Sequence, residues 1–373
     1  MLPFNAKKVQ ISITIEFESI FLQKQFKTFN LLSQKSIYIL GIESSCDDTS
    51  AAVICNGKVL SNVIANQDVH AKYGGVVPEL ASRAHQQNIV PVVQQALERA
   101  NIHANQLHGI AFTKGPGLMG SLLVGTSFAK SLAMGLNIPL LDVNHMQAHV
   151  LAHFIVEEGS KIPPFPFICL TISGGHTQIV KINSHFDMEI LGETIDDAVG
   201  EAFDKSAKIL GLPYPGGPLV DKYAQLGNPK AYEFTKPKVG DLDFSFSGLK
   251  TAILYFIQKQ EKENPNFIKE NLYDICASIQ YTIIEILMEK LKNAVKQTQI
   301  KHIAIAGGVS ANSEIRKRLV LAEQHWGWTS YIPKFEYTTD NAAMIAITGY
   351  LNYLNHNYAE VSVTAQARLK VTE

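Results

Sequence analysis

The sequence lacks the features that mark secreted, membrane-spanning and nucleic-acid-coating proteins. Its 373 residues include four cysteines and no C-x-x-C pair, so a disulfide framework is not indicated and a reducing cytoplasm is expected. No apolar run approaches the roughly 20 residues that cross a bilayer, and neither a signal-peptide nor a transit-peptide pattern is present. Lys and Arg total 33 against 34 Asp and Glu, so a broadly basic nucleic-acid coat is excluded and an RNA partner would need a local patch or another subunit.

The order of predicted strands and helices indicates two related α/β halves. The chain length also suits about two domains. The first half reads as a strand over residues 37–42, a hairpin around Asn56-Gly57, a strand over 109–113 followed by a helix, and a strand over 139–143. The second half repeats this order, with strands over 167–172, 177–182 and 302–306 and helices between them. The run Pro163-Pro164-Phe165-Pro166 is the best candidate hinge between the halves.

Two histidines, His145 and His149, lie one helical turn apart directly after the predicted strand at 139–143. Such spacing places both imidazoles on one helix face, where they can share a metal ion, and Asp340 is a natural third ligand. His153 extends the row, so the spacing alone leaves the pair undecided. A zinc protease is disfavoured because Met146 stands where H-E-x-x-H needs its glutamate, and no G-x-S-x-G hydrolase elbow occurs.

Glycine clusters follow three predicted strands, at Gly115/Gly117/Gly120, Gly174/Gly175 and Gly307/Gly308. Glycine lets the backbone approach a phosphate, and the following helix N-terminus favours negative charge, although tight turns need glycine for steric reasons alone. Asn312 is expected either to cap a helix or to contact a ligand, and Asp204 could accept hydrogen bonds from a ribose. The basic run at residues 316–318 is expected to be a solvated helix face.

The ordered set of motifs resembles the TsaD family of tRNA N6-adenosine threonylcarbamoyltransferases. The matching stretches run from about residue 37 to about residue 349: GIESSCDDT from Gly41, YGGVVPELASR from Tyr73, GPGL from Gly115, HMQAH from His145, SGGHTQ from Ser173, DDAVGEAFDK from Asp196, YPGGP from Tyr214, FSFSGLK from Phe244, GGVSAN from Gly307 and TDNAAM from Thr339. Each motif is weak by itself, and their common order is specific.

The resemblance implies a two-lobed α/β fold of the actin, sugar-kinase and Hsp70 type (ASKHA), with a cleft between the lobes. We expect an accessory extension at residues 1–35, a first lobe of residues 36–165 plus 340–373, and a second lobe of residues 166–339. The implied metal ligands are His145, His149 and Asp340, holding one divalent transition-metal ion per subunit, Fe²⁺ by preference and Zn²⁺ as the alternative. The implied adenylate-binding residues are Thr171, Ile172, Ser173, Gly174, Gly175, Asp204, Gly217 and Asn312. No residue is assigned a catalytic role.

The resemblance also implies the reaction. The threonylcarbamoyl group of threonylcarbamoyl-AMP would pass to the N6 amine of the adenosine next to the anticodon, in tRNAs that read codons starting with A. A TsaB-like paralogue, forming a heterodimer, and a TsaE-like ATPase are the implied partners. Two other classes stay open: a phosphotransferase of the same fold, which would not need a histidine pair, and a non-catalytic partner subunit, which would lack one.

Overall fold

The computed structural model describes residues 36–373 apart from 67–69, 71–72, 74 and 238. The accessory extension expected at residues 1–35 therefore lies outside the described residues. The described chain forms two five-stranded mixed sheets with helices packed around them. Among the described helices, none has the length and apolar character that a bilayer crossing requires.

The first sheet has the strand order β3-β2-β1-β4-β5, in which β1 to β3 are antiparallel and β1, β4 and β5 are parallel. The predicted hairpin is confirmed: Asn56 and Gly57 both have positive φ, 49° and 82°, as a tight two-residue turn requires. The strands are β1 (Tyr38–Glu43), β2 (Thr49–Cys55), β3 (Lys58–Ala65), β4 (Gly109–Gly115) and β5 (Leu140–Asn144).

The second sheet repeats this topology, which confirms two related halves. Its order, β8-β7-β6-β9-β10, matches the first sheet strand for strand, with the same alternation of antiparallel and parallel pairs. Two of its strands were not predicted, because β8 is an edge strand rich in acidic residues and β10 has three residues. The strands are β6 (Phe167–Ile172), β7 (Thr177–Ser184), β8 (Asp187–Glu193), β9 (His302–Ala306) and β10 (Thr329–Tyr331).

The described helices fill the connections between strands. Three belong to the first half, namely α1 (Pro78–Ala100), α2 (Met119–Leu136) and α3 (His145–Leu151). Five follow in the second half: α4 (Val199–Ile209), α5 (Gly217–Ala224), α6 (Ser247–Glu263), α7 (Phe267–Thr298) and α8 (Ser313–Trp326). The last helix, α9 (Ala342–Leu354), returns to the first sheet and packs on β1, β2 and β4.

Close packing of α9 on β1 fixes the residues that precede this helix. A Cβ at Gly41 would lie 2.5 Å from the Ala342 carbonyl oxygen and 2.5 Å from the Ala346 nitrogen, so the contact requires glycine. One apolar core joins this helix, α3 and the facing sides of both sheets. Asp340, two residues before α9, is thereby held next to α3.

The carboxyl ends of the parallel strands meet at one cleft between the sheets. The loops after β1 and β4 and the start of α3 reach it from the first sheet, and the loops after β6 and β9 reach it from the second. Open α/β sheets bind ligands at this edge. Turns that are distant in sequence thus come together in the cleft, whose volume is about 780 Å³.

Candidate metal and nucleotide site

Helix α3 carries the two histidines next to the cleft, which His145 lines. It starts directly after β5 because Asn144 caps it, the Asn144 Oδ1 accepting hydrogen bonds from Met146 N at 2.9 Å and Gln147 N at 3.3 Å. One helical turn separates His145 from His149, and their rings meet edge to face with centroids 4.7 Å apart. Both side chains are buried.

Asp340 completes a group of three potential metal ligands. Its Oδ1 lies 3.4 Å from His145 Nε2 and 3.2 Å from His149 Nε2. One ligand atom from each of the three residues lies within 4.8 Å of the others, a spacing compatible with a shared ion. The carboxylate is about one-third exposed, with a side-chain accessibility of 34%, and faces the cleft.

A fourth residue, Glu43, orients the first histidine. Glu43 Oε2 accepts hydrogen bonds from His145 Nδ1 at 3.0 Å and from Thr113 Oγ1 at 2.7 Å. Burial opposes charge on His145, but the negative charges of Glu43 and Asp340 outweigh it and raise the pKa of His145 well above its usual value. Burial likewise opposes charge on Glu43, yet His145 lowers the pKa of Glu43. The residues therefore form a buried charge cluster that a cation could enter.

His149 gives the clearest indication that these residues can hold a ligand. Both of its ring nitrogens are buried and neither forms a well-aligned hydrogen bond with a described residue, although Nε2 lies 3.2 Å from Asp340 Oδ1. Buried polar atoms are ordinarily satisfied, so an unsatisfied pair calls for an explanation. His153, by contrast, donates its Nε2–H to the Ile305 carbonyl at 2.9 Å and is outside the three-residue group. The donor set of two imidazoles and a carboxylate fits a transition-metal ion.

A smaller pocket of about 270 Å³ adjoins the cleft and shares Gly174 and Gly308 with it. Asp204 lies at its wall, and Asp204 Oδ1 accepts hydrogen bonds from Gly216 N at 2.8 Å and Gly217 N at 3.0 Å, at the start of α5. Burial raises the pKa of Asp204 despite these bonds. The other carboxylate oxygen accepts no hydrogen bond from the part of the chain that the structure describes.

The glycine clusters divide into two kinds. At Gly115 and Gly117 an added Cβ would collide with backbone, 1.9 Å from Gln366 O and 2.4 Å from Ser45 O, so packing alone explains these residues. At Gly174, Gly175 and Gly308 nothing lies within 4 Å of an added Cβ, and none has a positive φ. These three glycines border open space in the cleft or the pocket, which favours close approach of a ligand to the backbone.

The other expected adenylate residues occupy different positions. Ser173 lines the cleft, and its Oγ accepts a hydrogen bond from His176 N at 3.1 Å. Thr171 and Ile172 are fully buried in β6 and line neither space. Asn312 lines the pocket and caps α8, with Oδ1 accepting from Glu314 N and Ile315 N at 3.1 Å each.

Several residues that line the cleft were not predicted as site residues from the sequence. His176 lies in the SGGHTQ motif, which sequence reasoning treated as a turn. It lines the cleft, and burial, followed by the nearby charge of His145, lowers its pKa. No sequence signal pointed to Arg368 or Lys370, which line the cleft from the C-terminal segment.

The basic run at 316–318 is only partly a solvated face. Arg316 donates to the carbonyls of Ser310 at 2.8 Å and Pro333 at 3.0 Å and stacks over Phe335, while Arg318 pairs with Glu285. The prediction of a solvated face is therefore wrong for these two arginines. Lys317 is exposed as expected.

Comparison with known proteins gives one family. The family model described as "tRNA N6-adenosine threonylcarbamoyltransferase", TsaD, matches residues 58–347. A protein of that name from Christiangramia forsetii is 70% identical over 339 residues, 91% of this chain and 100% of the relative. Another from Riemerella anatipestifer is 61% identical over 90% of this chain and 99% of the relative. A third, from Salinibacter ruber, is 50% identical over 83% and 93%.

Among solved structures, full-length HypF in its phosphate- and nucleotide-bound form aligns with a TM-score of 0.55 at 13% identity. The alignment covers 85% of this chain and 46% of that chain. HypF from T. kodakarensis gives 0.55 at 14% identity, over 89% and 49%. At this identity the likeness concerns the fold alone, and with the paired sheets it confirms the expected two-lobed ASKHA-type architecture.

Proposed function

Since the chain belongs to the TsaD family of tRNA N6-adenosine threonylcarbamoyltransferases, we propose that its interlobe cleft binds threonylcarbamoyl-AMP beside a metal ion and delivers the acyl group to tRNA. The acceptor is the N6 amine of the adenosine next to the anticodon in tRNAs that read codons starting with A. A nitrogen–carbon bond forms at the donor carbonyl, AMP leaves with the electrons of the broken carbon–oxygen bond, and the amine loses a proton.

The observation that carries the proposal is the His149 imidazole, buried with both nitrogens unsatisfied beside His145 and Asp340. These three residues would hold one divalent transition-metal ion, and we propose Fe²⁺, with Zn²⁺ as the alternative that the same ligands accept. A bound ion would supply Lewis acidity toward the donor carbonyl and a template for the donor. Glu43 keeps His145 Nδ1 protonated, so His145 Nε2 is the nitrogen that faces Asp340.

The donor adenylate is proposed to occupy the smaller pocket. Asp204 would bind the ribose through its free carboxylate oxygen, while Gly217 and Asn312 line the adenosine side. Gly174, Gly175 and Gly308 leave the backbone open to the phosphate at the boundary with the larger cleft. The threonylcarbamoyl end then extends into the larger cleft, toward the proposed ligands. Thr171 and Ile172 would support this turn from beneath.

The lobes and partners follow from the same proposal. We assign residues 36–165 plus 340–373 to the lobe that carries the metal ligands and residues 166–339 to the lobe that carries the adenylate pocket. A TsaB-like paralogue is proposed to dock on α1 and α2, where Val90, Leu123 and Met134 are exposed apolar residues. A TsaE-like ATPase would complete the assembly, which we place in the cytoplasm.

Reconstitution tests the proposal directly. Threonine, bicarbonate, ATP and tRNA are incubated with the purified chain, the enzyme that makes the adenylate and the partner proteins, and the tRNA is digested to nucleosides. We expect threonylcarbamoyl-adenosine to appear only when the chain is present. A chain with Asp340 replaced by alanine should retain its fold and give no product; full product formation by that variant would overturn the proposed metal role.

A further inference from the structure

The C-terminal segment, residues 367–373, forms one wall of the reaction cleft. Ala367, Arg368, Leu369, Lys370 and Glu373 line the same space as His145 and Asp340. The segment lies far from the cleft motifs in sequence and outside the motif set that identifies the family, which ends near residue 349. The wall it builds is nevertheless part of the space in which the acyl group is transferred.

The main chain of this segment is fixed on both sides of its two cations. Upstream, Gln366 N donates to Lys114 O at 2.8 Å and Gly117 N donates to Ala367 O at 3.2 Å. Downstream, Val371 is only 1% exposed and is part of the apolar core that joins the two sheets. The collision that a Cβ at Gly115 would make with Gln366 shows that β4 leaves room for the segment. These contacts therefore hold the segment in a fixed position at the cleft.

The same segment is attached to the helix that carries the histidines. Asn144 Nδ2 donates to Lys370 O at 2.6 Å, while the Asn144 Oδ1 caps α3. Gln147 Nε2, on the helix itself, donates to Val371 O at 2.8 Å. Two side chains of the His145–His149 region thus hold the backbone between Lys370 and Val371, and the position of the cations is tied to the position of the proposed metal ligands.

Arg368 and Lys370 offer positive charge at the open side of the cleft. Both side chains are exposed, and neither forms an ion pair or a side-chain hydrogen bond with any described residue. Lys114, whose carbonyl holds this segment, is by contrast engaged in an ion pair with Asp142 at 2.9 Å. In the proposed binding mode, the adenylate phosphate would contact the open glycine turns at the boundary between the cleft and the smaller pocket. A cation at an exposed rim suits a larger anion that approaches from solvent.

Resting on the proposed function, we infer that Arg368 and Lys370 bind backbone phosphates of the acceptor tRNA beside the target adenosine. Arg and Lys contacts to phosphates set the register of a nucleic acid on a protein without reading its sequence. Bound in this way, the anticodon loop would present its N6 amine to the donor carbonyl in the cleft. Because the segment is held by Asn144 and Gln147, it is a positioning device attached to the reaction centre.

The test compares tRNA binding by the full chain, assembled with its partner proteins, in the wild type and in the double variant Arg368→Ala/Lys370→Ala. We expect the affinity for tRNA to fall about tenfold at fixed salt. The negative slope of log K against log salt should become shallower by about 1.4, since each of the two lost single-strand phosphate contacts contributes about 0.7. The KM for tRNA should rise while metal content and donor affinity, measured without tRNA, stay at wild-type values. Arg368→Lys with Lys370 intact should keep the wild-type slope.

A matched control removes two exposed cations that do not line the cleft, Lys58→Ala/Lys259→Ala, and should leave the salt slope unchanged. Equal tRNA affinity and slope in the tail variant and the wild type would overturn the inference. A loss of donor affinity in the tail variant, without a change in the salt slope, would also overturn the inference. It would indicate that the two cations bind the carboxylate of the threonylcarbamoyl donor. These outcomes are separable from failure of the proposed function, in which the wild type itself would form no modified nucleoside.

Discussion

Glu43, the last residue of β1, accepts a hydrogen bond from His145 Nδ1 at 3.0 Å across 102 positions of sequence. The bond fixes the Nδ1–H tautomer and leaves the opposite nitrogen facing Asp340 at 3.4 Å. A carboxylate behind a histidine in this way both orients the ring and raises its basicity toward a metal. Strand β1 thereby orients one of the three candidate metal ligands through Glu43, a residue outside that group of three.

The first prediction is that His149→Ala abolishes metal retention. This imidazole contributes two buried nitrogens that form no well-aligned hydrogen bond with a described residue, so its loss removes a ligand and, of polar contacts, only the 3.2 Å approach of Nε2 to Asp340 Oδ1. The metal content of the purified protein, measured by elemental analysis, should fall to background, and so should its transfer activity.

The matched control is His153→Ala, four residues further along. His153 bonds to the Ile305 carbonyl and lies outside the ligand group, so this variant should lose stability by about 1–3 kcal/mol yet keep its metal. Full metal content in the His149 variant, or loss in the His153 variant alone, would show that the ligand assignment is wrong.

The second prediction concerns Glu43→Gln. Glu43 accepts hydrogen bonds from Ser45 N, Thr113 Oγ1 and His145 Nδ1, and an amide would place its own N–H groups against one of these donors. Metal affinity should fall about 10- to 100-fold. Thr113→Val, which removes one donor and keeps the carboxylate, should have a much smaller effect in the same competition titration with a chelator. If the Glu43→Gln variant bound metal with wild-type affinity, Glu43 would have no role in metal binding.

The third prediction concerns the nucleotide pocket. An added Cβ at Gly217 meets only ordinary contacts, 3.6 Å from Phe203 Cβ and 3.9 Å from Asp204 Oδ1, so Gly217→Val should fold and project into the pocket. Calorimetric affinity for the adenylate should weaken at least tenfold, or roughly 1.4 kcal/mol. Gly135→Ala, at a helical glycine with nothing within 4 Å, is the control and should bind normally. Unchanged affinity in the valine variant would place the nucleotide elsewhere.

The fourth prediction is a pH dependence that originates at His153. Burial lowers the pKa of His153 to about 4, against 6.5 in the unfolded chain. Between these values the unfolded state binds a proton that the folded state does not, so the free energy of unfolding decreases as pH falls from about 6.5 to 4 and levels off below. The contribution is about 3 kcal/mol over the whole window.

Urea unfolding from pH 7 to 4.5, with chelator present, measures this dependence. The wild type should lose stability over this range more steeply than His153→Gln, whose side chain does not titrate. His325→Gln, at an exposed position on α8, should follow the wild type. Parallel curves for the wild type and His153→Gln would contradict the assignment.

The fifth prediction concerns partners. With a net charge of −1, the isolated chain should bind tRNA weakly, because affinity for phosphates comes mainly from Lys and Arg. Adding the TsaB-like protein should raise tRNA affinity sharply. Leu123→Glu, at a residue 49% exposed on α2, should prevent the heterodimer without unfolding the chain, whereas Lys130→Glu on the same helix should have less effect. Tight tRNA binding by the chain alone in filter-binding assays would contradict the prediction.

The sequence by itself determined the local elements and the chemistry of individual turns. Asn56-Gly57 specified a hairpin because few residues accept two successive positive φ angles, and the spacing of His145 and His149 specified a shared helix face because the α-helix repeats every 3.6 residues. The apolar runs of β1, β4 and β6 were visible because buried strands need them. These signals depend on neighbours in sequence, so no knowledge of the fold was required.

Tertiary structure decided what depends on residues far apart in sequence. Glu43 next to His145, the packing role of Gly115 and the cleft position of Arg368 arise from contacts across 102 residues or more, or from a segment with no motif of its own. The open space around Gly174 and Gly308 likewise distinguishes them from glycines needed for packing, although all looked alike in sequence. Sequence patterns record what a residue's own element needs, whereas a site is built where several elements end, and only the folded chain brings those ends together.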